Sequence, residues 1–350
     1  MDGFFSNETL LNAPAIKRAA YSDRMAWLMA QLAGLVYEPL PGEEPDKERI
    51  DQVFSAIERN EDRDVIEKLI QAAMQKNAAS NSAIPENLEI GKFKLVEPFS
   101  QGGTEAMLVK HHADERSDGI LVLVFRGTQP NIIDVVTDLK ADLVSAPGGG
   151  RVHHGFLEAY KKVEPQIKAA CEKHARLPLY ITGHSLGGAL AMLATRYIGD
   201  DSTGATYTFG CPRAADDEFY KNIKTPIYRI VNAADAVPRV PFGYGMSILL
   251  SAIRLIPVNF TRSVSEWVRR NFAGYTHHGD LIFLSDAANT PDIQGIPFKE
   301  LIIKRSPNIF WRASMVVKRW VMTRGEAGVS DHRMTEYSQK LAAWALRRNR

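Results

Sequence analysis

Leu179-Tyr180-Ile181-Thr182-Gly183-His184-Ser185-Leu186-Gly187-Gly188-Ala189-Leu190-Ala191 reads as a short apolar strand, a Gly-x-Ser-x-Gly turn and a helix opening on small residues. A serine on such a strand-to-helix turn is held where an incoming carbonyl can reach it, and the flanking glycines leave room for the crowded backbone. The helix N-terminus sets free N–H groups and a positive dipole end beside an oxygen that becomes anionic during acyl transfer. The five-residue pattern alone is weak. Its strand and helix flanks give it meaning, and they make Ser185 the candidate nucleophile.

Working outward, short apolar runs alternate with helical patterns. Strands are predicted over 120–125, 179–182, 206–209, 227–231, 281–284 and 301–303, and helices over 156–174, 186–197 and 334–346. A hairpin is predicted from 93–96 and 106–110 around Gly102-Gly103. This alternation describes an α/β fold with a mostly parallel central sheet and helices on both faces. Before it, Met25, Leu28, Met29, Leu32 and Leu35 recur at helical spacing, and residues 46–76 supply two further amphipathic helices. Residues 1–89 are therefore expected to form an N-terminal helical cover packed on a core domain of 90–350.

A serine hydroxyl needs a base, and an imidazole serves best when a carboxylate orients it. On the α/β-hydrolase architecture the order is Ser, then acid, then His. Asp235 leaves the strand 227–231 in a turn and comes first as the acid; Asp216 and Asp217 open a predicted helix and rank behind it. His332, after the last predicted strand, is favoured as the base over His277 and His278, which precede a strand. The oxyanion donors are expected at Leu186, after the nucleophile, and at Thr128, after the strand ending in Arg126-Gly127.

The chain has 350 residues, a net charge of +2 and 45% hydrophobic residues, enough for a full core and without a global field for nucleic acid. Two cysteines make neither a disulfide framework nor a metal site. No stretch reaches the roughly 20 apolar residues of a membrane span. Residues 1–10 contain Asp2 and Glu8 and lack a basic segment followed by an apolar core. A cytoplasmic protein is expected, or one exported by a signal-peptide-independent route.

Several segments together resemble the class 3 lipase family. They are Leu123-Val124-Phe125-Arg126-Gly127-Thr128, Val152-His153-His154-Gly155-Phe156, the Ser185 elbow, Thr208-Phe209-Gly210-Cys211-Pro212-Arg213, the Asn232 to Pro241 region, and Asp331-His332 with Tyr337. The resemblance covers roughly 90–340, and the absent secretion signal and disulfide framework suit a bacterial-type member. It implies a serine esterase acting on acylglycerol or phospholipid esters, with Ser185, Asp235 and His332 catalytic, Thr128 and Leu186 in the oxyanion hole, and no cofactor or metal. It also implies a lid over 129–137. The alternatives are phospholipase A1, lysophospholipase or acyltransferase activity with the same triad, or a lipase-like scaffold without turnover.

This sequence departs from the family in an apolar insertion over 242–274, expected to act as a cap. Trp and Phe set against Lys and Arg in 246–272 and 310–322 suit peripheral contact with an anionic lipid surface. Residues 301–350 carry eleven Lys/Arg against three Asp/Glu, which fits such a partner.

Overall fold

The computed structural model describes residues 3–11, 19–41, 47–59, 61–74, 82–111, 119–127, 143–199, 204–240, 274–324 and 326–348. An eight-stranded sheet in the order β1-β2-β3-β6-β7-β8-β9-β10 organises them. Its strands are β1 (Phe93–Gln101), β2 (Thr104–His111), β3 (Leu121–Phe125), β6 (Leu179–His184), β7 (Thr206–Phe209), β8 (Ile227–Asn232), β9 (Asp280–Leu284) and β10 (Ile303–Arg305). From β3 to β9 neighbours run parallel; β1, β2 and β10 are antiparallel additions at the edges.

Side-chain alternation explains why β3 is apolar throughout. Val122 and Val124 point to one face and join one hydrophobic cluster, whereas Leu121, Leu123 and Phe125 point to the other and join a second. The first face is covered by α2 (Asp23–Leu35) and α11 (Met334–Arg348), the second by α6 (His154–Glu172) and α7 (Leu186–Ile198). Ten of the thirteen residues of α2 are buried, Trp27 among them, and Ser22 caps its start by accepting from Met25 N. The remaining helices are α1 (Glu8–Leu11), α3 (Lys47–Glu58), α4 (Arg63–Met74), α5 (Ile84–Ile90), α8 (Asp217–Tyr220), α9 (Ile309–Met322) and α10 (Ala327–Ser330). Phe54 and Ile57 of α3 are exposed.

Two elements differ from expectation. The last strand begins at Ile303, not at 301, because Leu301 N–H is bound by Phe298 O in a turn with Phe298 at φ 60°. Leu301 is buried from that turn, so its apolar character marks packing and not sheet pairing. A short hairpin, β4 (Leu143–Ser145) with β5 (Arg151–His153), was not foreseen. Its signal is the run Gly148-Gly149-Gly150, all at positive φ in the turn.

Register sets the site. Phe125 of β3 lies opposite Gly183 of β6, and His184 lies opposite Phe209 of β7. The strand ends carrying Gly127, Ser185, Gly210 and the loop after Asn232 therefore meet along the carboxyl edge of the parallel strands, where ligands of open α/β sheets bind. Among the described residues no helix is long and apolar enough to cross a membrane.

Candidate active site

The elbow is strained as its chemistry requires. Ser185 sits at φ 57°, ψ −129°, a region that a non-glycine residue occupies at a cost of about 1–3 kcal/mol. Its N–H is held by Phe209 O at 2.9 Å. A Cβ at Gly183 would come within 2.3 Å of the Gly187 carbonyl oxygen, so strand and helix can approach this closely only with glycine there. As the first residue of α7, Leu186 has no carbonyl four residues back in the helix to take its N–H. Thr128, the other expected oxyanion donor, lies outside the described residues, as do the expected lid over 129–137 and the insertion up to residue 273.

Asp235 follows β8 and is wholly buried. Its two carboxylate oxygens face His332 Nδ1 at 3.0 and 2.9 Å. Val237 N–H donates to Oδ1 at 2.9 Å, and Tyr337 O–H donates to Oδ2. Burial alone would raise this carboxyl's pKa; His332, Tyr337 and Val237 together outweigh that and hold it below the usual carboxylate range. With Nδ1 taken by the acid, Nε2 of His332 is the nitrogen left for proton transfer. Ser185 and His332 line one cavity of about 950 Å³, which runs on past Tyr37, Trp27 and Met334 between α2 and α11.

Further residues brace this pair. Gly210, at φ 56°, passes so close that a Cβ there would lie 2.7 Å from Asp235 Oδ2 and 2.8 Å from His332 Nδ1. Asp331 accepts from Ala234 N at 2.9 Å and from Arg319 of α9 at 2.9 Å, tying the acid's loop to the base's loop. Tyr337 Oη also accepts from Asn232 N at 3.0 Å. Tyr337 stood in the quoted motifs without a role, and Arg319 only in a basic-aromatic stretch. No local spacing tells that Tyr337 reaches the acid or that Arg319 reaches the residue before the base.

The rival candidates lie elsewhere. Asp216 caps α8, accepting from Phe219 N at 3.0 Å and from Arg151 N at 2.9 Å. His277 donates Nε2–H to Pro238 O at 2.6 Å, and His278 stacks on Tyr220. Burial and neighbouring arginines push His277 well below the ordinary imidazole range, so it stays neutral.

A mostly parallel sheet with a strained serine elbow at its carboxyl edge, beside a buried Asp–His pair, is the architecture of the α/β-hydrolase fold. Residues 122–245 match the class 3 lipase family model. Over this stretch the chain is similar to the class 3 lipases. It is 35% identical over 173 residues to the secreted mono- and diacylglycerol lipase 1 of Fusarium solani, covering 45% of this chain and 50% of that one. It is 34% identical over 146 residues to a lipase of Rhizomucor miehei, covering 37% and 40%. The chain thus spans half or less of these relatives' lengths. The crystal structure of a mutant form of MDLA from Penicillium cyclopium shares the fold, with a TM-score of 0.52 at 18% identity, covering 87% of this chain and 93% of that one.

The comparison corrects one expectation. The missing N-terminal leader pattern pointed to the cytoplasm, whereas the Fusarium solani relative is by its name a secreted lipase and points to an extracellular location. A short N-terminal pattern reports one export route only and is weak evidence on compartment.

Proposed function

We propose that the chain is an extracellular serine esterase that hydrolyses carboxylic ester bonds of lipids through an acyl-enzyme. The observation that carries this reading is the buried Asp235 carboxylate on His332 Nδ1, in the wall of a cavity that Ser185 also lines from its elbow. Ser185 Oγ bonds to the ester carbonyl carbon as its proton passes to His332 Nε2. The N–H groups of Leu186 and Thr128 hold the oxyanion. His332 then returns the proton to the departing alcohol oxygen as the C–O bond breaks. Water, deprotonated by the same nitrogen, releases the fatty acid, and no metal or organic cofactor enters. In this reading residues 1–89 cover the core and 90–350 carry the chemistry.

Reaction with a fluorophosphonate probe tests the proposal. The wild type is expected to label at one site and Ser185→Ala not at all; a folded wild type that fails to label overturns it.

The lipid surface is met, in this reading, by α9. Asn308 caps it, and Trp311 and Met315 turn inward onto Val231 and Phe283. Phe310, Val317, Trp320 and Val321 point outward and are exposed, flanked by the exposed cations Lys304, Lys318 and Arg324. An apolar stripe flanked by cations matches an anionic interface. The companion segment 246–272 lies outside the described residues. Phe310→Ser with Trp320→Ser is expected to weaken binding to phosphatidylglycerol vesicles by about 10-fold or more. Unchanged binding in a sedimentation assay removes α9 from the interface.

A further inference from the structure

His184 precedes the nucleophile and is buried at the centre of the site. Burial first, and the neighbouring His332 second, push its pKa down to about 3, so its ring is neutral and carries one N–H. Its Nε2 lies 2.7 Å from the His332 carbonyl oxygen, which can only accept. The proton is therefore on Nε2, and Nδ1 is an acceptor. Tyr37 Oη lies 2.9 Å from that Nδ1 and must donate to it. The phenol oxygen in turn accepts the backbone N–H of Gly127, at the end of β3. The ring of His184 also packs on that of His332, with centroids 4.4 Å apart.

One phenol thus connects two strand-end segments, Gly127 before Thr128 and His184 before Ser185, and, through the imidazole, the main chain of His332 between α10 and α11. Asp235 fixes the imidazole of His332 but has no hold on its peptide. The His184 contact supplies that hold, on the last residues before α11 begins.

We propose that Tyr37 and His184 are positioning residues for the ester cleavage proposed above, on which this inference rests: the chain Gly127 N–H to Tyr37 Oη to His184 to His332 O keeps the oxyanion segment, the nucleophile and the base in register. Neither residue transfers a proton in the reaction. Misplacing reacting groups by a fraction of an ångström is felt in turnover more than in substrate binding.

The test uses the full chain, a soluble p-nitrophenyl ester and the fluorophosphonate probe, at a temperature where circular dichroism shows each variant folded. Tyr37→Phe keeps the ring and removes the O–H. Its kcat is expected to fall about 10- to 100-fold with KM changed less than about two-fold, and its rate of labelling to fall in parallel. A folded Tyr37→Phe with wild-type kcat and labelling overturns the inference, because a merely stabilising tyrosine would lower the Tm and leave kcat of the folded enzyme alone. His184→Gln supplies an N–H toward His332 O and an acceptor toward Tyr37, whereas His184→Leu supplies neither. The Gln variant is expected to retain at least about 10-fold more kcat than the Leu variant, and equal kcat in the two overturns the inference. Wild type that labels while the variants match it sinks only this positioning role; wild type that does not label sinks the esterase reading beneath it.

Discussion

Asp235→Asn lowers kcat for ester cleavage by about 10⁴-fold while the chain stays folded. Three donors converge on this carboxylate: His332 Nδ1–H, Tyr337 O–H and Val237 N–H. Two carboxylate oxygens satisfy all three, but an amide has one oxygen and one NH₂. With the oxygen kept beside Val237, the NH₂ takes the place of Oδ2 and faces both Tyr337 and His332. Tyr337 cannot fully compensate by turning its proton away, since its oxygen already accepts from Asn232 N. Facing an NH₂, His332 adopts the tautomer protonated on Nε2, which presents a proton to Ser185 where a lone pair is needed. Steady-state kinetics on a soluble ester check this, and a kcat within about ten-fold of wild type removes Asp235 from the acid's role.

The parallel strands were legible because their patterning is one-dimensional. A run such as 121–125 is buried on both faces whichever helices cover it. The elbow was legible for the same reason, since strand, turn and helix are consecutive. Ser185, Asp235 and His332 could be proposed because chain order on this architecture prunes the candidates. What holds them could not be. Tyr37 lies 147 residues before His184, and Arg319 of α9 reaches back to Asp286 as well as to Asp331. Those contacts are made by tertiary packing and leave no spacing to read. Leu301 shows the converse: an apolar residue beside a strand pattern that packs from a turn.

Arg319→Met is expected to destabilise the fold by about 3 kcal/mol, more than Asp331→Ala does. Arg319 projects inward from α9 between two carboxylates, Asp331 at 2.9 Å and Asp286 at 3.2 Å, whose side chains are 0% and 10% exposed. Removing the cation leaves two buried anions without their partner, the case in which a broken buried pair is most costly. Removing Asp331 instead leaves Arg319 paired with Asp286 and strands chiefly the Ala234 N–H, a loss of about 1–3 kcal/mol. Urea unfolding decides the order: the midpoint should fall further for Arg319→Met, with similar m-values showing that the same surface is exposed. The same residue joins the exposed face of α9 to the site, because α9 presents Phe310 and Trp320 outward and Arg319 inward to the residue beside His332. Arg319→Met should therefore lower turnover in the folded fraction as well. A destabilisation below about 1 kcal/mol, or a larger effect from Asp331→Ala, would show that water and not Arg319 compensates these carboxylates.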